Sequence, residues 1–206
     1  MTRRVALAAV HMLFGGLALV AIARQLMIQI DSGSSVVNFF SYFTNLSNIF
    51  AAIVLLLGAV YLLTNRKPSA ASDIVRGTSV VCMVLVGIVF SVLLRDVDLG
   101  HLLPWVNAVV HYVMPVVIFA SWLWWPPQTK LTTRSIKYWM IFPLAYLGYI
   151  LIRGARVDWY PYPFLTPEKV GGYWGVMGYS LGILGLFLVS SWGLLVLGNK
   201  LRPKRH

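Results

Sequence analysis

Two side chains of reactive type stand inside apolar stretches of this 206-residue chain. Thr44 lies in Phe39-Phe40-Ser41-Tyr42-Phe43-Thr44-Asn45-Leu46-Ser47-Asn48, and His111 in Val109-Val110-His111-Tyr112-Val113-Met114-Pro115. Polar groups in a hydrocarbon environment are costly, so such positions are functional candidates. A threonine hydroxyl is a poor nucleophile until a base takes its proton, and an imidazole within hydrogen-bond reach is such a base. The chemistry open to the pair is nucleophilic acyl transfer, whose tetrahedral oxyanion needs donors nearby. Asn48 is one turn inward from Thr44, Ser41 and Ser47 stand at i−3 and i+3, and Asn107 is one turn outward from His111. These side chains are spaced to donate or to orient. A structural role competes at each: Thr44 bonding back to the Phe40 carbonyl, the serines and amides joining helices.

The elements that must position the pair follow from composition. The chain is 59% hydrophobic and 11% charged, where a soluble domain carries roughly a quarter charged residues. The expected fold is all-α: one polytopic membrane bundle of six transmembrane helices, a single domain over 1–206. The spans fall near 5–28, 38–63, 76–95, 104–125, 136–153 and 173–198, each close to or above the ~20 residues that cross a bilayer core. The first begins like a secretory signal, with Arg3-Arg4 and a later Ala21-Ile22-Ala23. Its uncharged run exceeds the roughly 7–15 residues of a signal core, so it is expected to stay as a helix.

The net charge of +11 does not point to nucleic acid, because the charges cluster between the apolar stretches. Twelve of the seventeen basic residues (Arg3, Arg4, Arg66, Lys67, Arg76, Lys130, Arg134, Lys137, Lys200, Arg202, Lys204 and Arg205) gather on one side. The positive-inside rule then puts both termini in the cytoplasm. The membrane is the cell membrane, the inner one if the chain is bacterial. Five of the six acids face the opposite side, and none lies in a span as bounded above. A lone Cys82 permits no intrachain disulfide, and His11, His101, His111 and His206 lack metal-ligand spacing. No metal or organic cofactor is implied.

Depth links the two reactive residues. Span two enters from the outer face near residue 37 and span four near Pro104, which puts Thr44 and His111 each seven residues in. Both then lie roughly 10 Å below the outer boundary, and they meet if the two parallel helices are neighbours.

Phe40-Ser41-Tyr42-Phe43-Thr44-Asn45-Leu46-Ser47-Asn48, with His111-Tyr112-Val113-Met114-Pro115 two spans later and Tyr160-Pro161-Tyr162-Pro163-Phe164-Leu165 in the last outer loop, resembles the androgen-induced protein family. The specific part of the likeness is about twenty residues, and it is nearest the prokaryotic six-helix branch. The resemblance implies a threonine hydrolase that cleaves fatty acid esters of hydroxy fatty acids with one intramembrane threonine and one intramembrane histidine. Thr44 and His111 match those positions. Its partners would be a lipid or fatty-acid ester substrate and the bilayer.

Arg24, Arg95 and Arg153 each close a span at the outer face. They can hold an acidic headgroup or snorkel and pair with Asp31, Asp96 or Asp158. The loop Asp158-Trp159-Tyr160-Pro161-Tyr162-Pro163-Phe164 reads as an aromatic belt with some capping of the site. Gly171, Gly175, Gly178, Gly182 and Gly185 give span six a small-residue face for close packing, within the chain or in a homodimer. Gly178-Tyr179-Ser180-Leu181-Gly182 matches a hydrolase nucleophile motif, but that motif needs a strand-to-helix turn and this copy lies in a helix. The sequon Asn45-Leu46-Ser47 is too deep for glycosylation. A transporter would normally carry an intramembrane acid or broken helices, the latter allowed by Pro115 and Pro143. A scaffold without catalysis, and an acyltransferase using the same pair, complete the alternatives. Haem is disfavoured because His11 and His111 differ by roughly 10 Å in depth.

Overall fold

The computed structural model describes residues 3–98 and 100–203. Lys204, Arg205 and His206 lie outside the described residues, so the part of the charge reading that rests on them does too. The described residues contain no strand. Among them six helices are long and apolar enough to cross a membrane: Arg3–Asp31, Phe43–Leu63, Ala70–Leu94, Pro104–Trp124, Thr133–Val157 and Tyr173–Leu201. The chain is thus an all-α bundle with the architecture of a multi-pass membrane protein. Helices suit such a setting because they satisfy their own backbone groups without water.

In chain order, α1 is Arg3–Asp31, α2 the short Val36–Phe40, and α3 Phe43–Leu63. α4 is Ala70–Val89, extended by a π-helical turn Phe90–Leu94. α5 (Pro104–Ala108) runs through a second π turn, Val109–Val113, into α6 (Met114–Trp124). α7 is Thr133–Val157 and α8 Tyr173–Leu201. Serine and threonine start several of them: Ser69 accepts from the Ser72 amide at α4, and Thr132 and Ser135 form a capping box at α7.

α1 packs along α3, and α4 sits centrally against α3, α6, α7 and α8. Small residues let the backbones approach: Ala18, Ala21, Ala51 and Ala52 are fully buried between α1 and α3. Trp139 of α7 fits over Gly77 of α4, where any Cβ would clash with the indole, and its Nε1 donates to the Ile74 carbonyl at 3.0 Å. α7 and α8 are peripheral. Only 17% of the apolar stretch of α7 is buried, against 56% for the α4 span.

Two boundaries differ from the sequence reading with consequences. Span two is not continuous from residue 38. Ser41 and Tyr42 break it, and α3 starts at Phe43. Thr44 is therefore in the first turn of its helix, not seven residues along one. The break is held from α7: Tyr146 donates to the Ser41 carbonyl at 2.9 Å and Tyr149 lies 2.8 Å from the Ser41 hydroxyl, which itself donates to Val37.

Span three starts at Ala70, not 76, and takes in Asp73 and Arg76. Arg76 is not a solvated loop charge, and an acid does lie in a spanning helix. Asp73 is fully buried and accepts from the Gln128 amide at 2.8 Å and from the Thr129 amide and hydroxyl, both at 2.9 Å. It pairs with Arg76 at 3.3 Å, the one ion pair among the described residues. Arg76 also donates to the Trp125 carbonyl and lies 4.1 Å from that indole's centroid. Buried charges persist when every lone pair and proton finds a partner, and this pair ties α4 to the α6–α7 connection.

The loop between α7 and α8 folds onto the bundle. Tyr162, Phe164 and Leu165 are buried with Phe90, Leu94, Ile150 and Val176. Among the described residues no helix closes on Gly178, Gly182 or Gly185, where a Cβ would meet nothing within 4 Å.

Candidate active site

Thr44 owes its setting to the α2–α3 joint. As a first-turn residue it has no intrahelical partner for its amide. That N–H donates to the Tyr162 phenol oxygen at 3.3 Å. The positive end of the α3 dipole thus lies at this residue and favours negative charge there. Tyr162 is fixed by the turn Pro163–Leu165, by stacking on Phe164 and by an edge contact with Tyr42. Burial pushes its phenol up to about 12, and the bond from Thr44 pulls against that rise. Tyr162 therefore stays protonated near neutrality and keeps an O–H to give.

His111 sits in the π turn Val109–Val113. The Met114 amide donates five residues back, to Val109. Pro115 has no N–H to offer the His111 carbonyl, and the helical ladder slips by one residue around it. Gly87 of α4 admits the Pro115 ring, which a Cβ would meet at 3.1 Å. The imidazole lies flat against Phe90, and its Nδ1 is 2.6 Å from Asn107 Oδ1. Because that oxygen accepts, Nδ1 carries the proton and Nε2 holds the lone pair.

Thr44 and His111 line one cavity of about 320 Å³, together with Gln25, Gln29, Asp98 and Tyr162. Both are nearly buried, at 8% and 6% exposure. Among the described residues no hydrogen bond joins them. A second cavity of about 120 Å³, apolar, also reaches Thr44 and shares Phe90, Leu94 and Tyr162 with the first. Thr44 stands where the two meet.

The other sequence candidates take varied places. Asn107 holds His111, as its spacing allows. Asn48 spends its amide hydrogens on the carbonyls of Thr44 at 2.9 Å and Val110 at 3.1 Å. It braces α3 against the His111 turn, and no hydrogen is left for an oxyanion. Ser41 is engaged with Val37 and Tyr149, and Ser47 is fully buried without a partner for its hydroxyl. None of these four lines the cavity. Arg24 and Arg95 are exposed, while Arg153 donates to Asn38 Oδ1 at 2.6 Å and lies over Trp159. None of the three arginines lines the cavity either, and none pairs with Asp31, Asp96 or Asp158. Ser180 lies within α8, as its helical setting required, and lines the second cavity with its hydroxyl unpartnered. No histidine or acid lines that cavity to activate it.

Sequence reasoning missed Tyr162, Phe90 and Gln25. Gln25 ties α1 to the α4–α5 loop, donating to the His101 carbonyl at 3.1 Å and accepting from the Leu103 amide at 3.2 Å. The π turn had a legible signal in Pro115. Tyr162 had only its place in an aromatic loop. His11, in the other half of the bundle, bonds Ser121 Oγ at 2.7 Å. Among the described residues no three His, Cys, Asp or Glu side chains gather as a metal site. No family model matches the chain, and neither a curated protein nor a solved structure matches it.

Proposed function

We propose that this chain is an intramembrane lipid-ester hydrolase with Thr44 as nucleophile and His111 as base. The observation that carries the reading is that both side chains line one cavity, with the hydroxyl at a helix N-terminus and the imidazole held in the right tautomer by Asn107. In the first half-reaction Nε2 takes the Thr44 proton as Oγ1 bonds to the ester carbon. The oxyanion that forms is stabilised by the α3 dipole and by the Tyr162 O–H. As the C–O bond to the alcohol breaks, His111 returns the proton to the leaving oxygen. Water, deprotonated by the same nitrogen, then releases the acid and restores Thr44.

The sequence resemblance to threonine hydrolases points the same way, and a cell membrane with the Thr44 end outermost follows from the basic-residue pattern. An anchoring role at the interface suits Arg24, Arg95 and Arg153 better than a headgroup site, since Asp98 rather than an arginine lines the cavity. The test is hydrolysis of neutral long-chain esters by the purified chain in vesicles. Thr44→Ala and His111→Ala are each expected to lower the rate by about 10²- to 10⁴-fold. Full activity in Thr44→Ala would remove the threonine from the mechanism.

A further inference from the structure

The apolar cavity beside Thr44 is walled by α4 on the inside and by α7 and α8 on the outside. Val86, Phe90 and Phe187 form its buried back, at 4%, 2% and 2% exposure. Leu144 of α7 and Leu184 of α8 also line it, and they reach the surface that faces the bilayer: Leu144 is 46% exposed and Leu184 is half-buried. These two helices are the peripheral ones, with 17% and 28% of their apolar stretches buried. Pro143, in the same wall, cannot donate to the Trp139 carbonyl and so weakens α7 at this level. The opposite cavity differs in kind. It carries Gln25, Gln29 and Asp98 and lies under the outer loops.

We infer that the cleft between α7 and α8 is a lateral portal through which the acyl chain of a bilayer ester reaches Thr44. This rests on the Thr44–His111 reading for the ester, though not for the chain. The acyl arm lies in the apolar cavity, the carbonyl carbon stands at the junction beside Thr44, and the alcohol arm extends into the polar cavity. A cavity of about 150 Å³ lined by aliphatic and aromatic side chains accommodates benzene. The apolar cavity therefore encloses about the first five or six carbons, and the rest of the chain stays in the bilayer. The substrate class is a neutral ester with a hydrocarbon acyl arm unbranched near the carbonyl, selected without regard to length beyond those carbons.

The full chain in phosphatidylcholine vesicles is photolabelled with palmitic acid methyl ester bearing a diazirine at the fifth carbon, and the labelled residues are read by mass spectrometry. Label is expected on Val86, Phe90 or Phe187, which bulk lipid does not touch. Leu144→Trp and Leu184→Trp, which fill the cleft from opposite walls, are expected to cut that label at least fivefold. Both are to leave label on the lipid-facing Val189, which is 73% exposed, unchanged. Helical content and elution volume check that each variant folds. Label confined to lipid-facing residues, or undiminished in both tryptophan variants, overturns the portal. Thr44→Ala separates the two readings: it is to keep the interior label and lose hydrolysis. Interior label with hydrolysis intact in that variant would leave the portal standing and remove the nucleophile.

Discussion

The ring of His111 lies flat on that of Phe90, with centroids 3.8 Å apart and planes 14° apart, and each residue belongs to a π-helical turn. π turns are rare and recur at functional sites. Here they aim one imidazole face at a packed ring and leave its edge for Asn107 and the cavity.

Pro115→Ala offers an N–H to the His111 carbonyl and lets the turn revert to an α-helix. Thermal stability is expected to hold or rise, while ester hydrolysis falls about 100-fold as His111 swings away from Thr44. A thermal melt and a rate measurement on the same sample check both halves. Unchanged hydrolysis in a variant shown to have a regular helix would detach the π turn from the chemistry.

Asn107→Leu removes the acceptor that keeps the Nδ1 proton in place. The expected result is a fall in kcat of about 10²-fold with KM changed by less than threefold. Asn107→Asp, which can still accept, is to recover much of the rate. A loss confined to KM would make Asn107 a substrate contact instead.

Tyr162→Phe tests the oxyanion donor and also has a pH signature. A phenol's ordinary value is about 10, and burial pushes Tyr162 up to about 12. The unfolded chain loses this proton first as pH rises. The stability tied to the neutral phenol is therefore complete below pH ~10 and disappears as pH rises through about 12. Unfolding temperature is expected to drop more between pH 8 and pH 11 in the parent than in Tyr162→Phe. At pH 8 the variant is to hydrolyse ester about 10²-fold more slowly.

Asp73→Ala strips the buried carboxylate from Arg76 and from the Gln128 and Thr129 amides. The expected cost is about 3–5 kcal/mol, from leaving a buried guanidinium unpaired. Denaturant unfolding in micelles measures it, and Asp73→Leu combined with Arg76→Leu is to recover at least half. Additive losses in the double variant would mean that the two charges act independently.

The six spans were legible because bilayer thickness sets helix length and charges are kept out of the hydrocarbon. That Thr44 and His111 line one cavity agrees with their residue types, but counting residues inward placed Thr44 seven residues along a helix that in fact starts at Phe43. Thr44 enters that cavity just after a break in the helix at Ser41 and Tyr42. The partners that hold that break, Tyr146 and Tyr149, come from a helix about a hundred residues later. Asp73 falls outside span three as hydropathy bounds it, because that boundary lies where the apolar run begins, while the donors that hold the buried carboxylate come from more than fifty residues away. Tyr162 looked like any interfacial tyrosine. Only the inward fold of its loop brings the phenol to Thr44.

The Ser41–Tyr42 joint puts Thr44 in the first turn of a helix whose level is set by its packing on α1. α1 spans 29 residues, roughly 44 Å, while α3 spans 21, roughly 32 Å. Thr44 belongs to α3, and α3 packs along α1, so shortening or lengthening the linker before Phe43 would leave Thr44 at the same level while the α1–α3 seam stays in register. What such a change would shift is α2, and with it the contacts that Ser41 makes to Tyr146 and Tyr149.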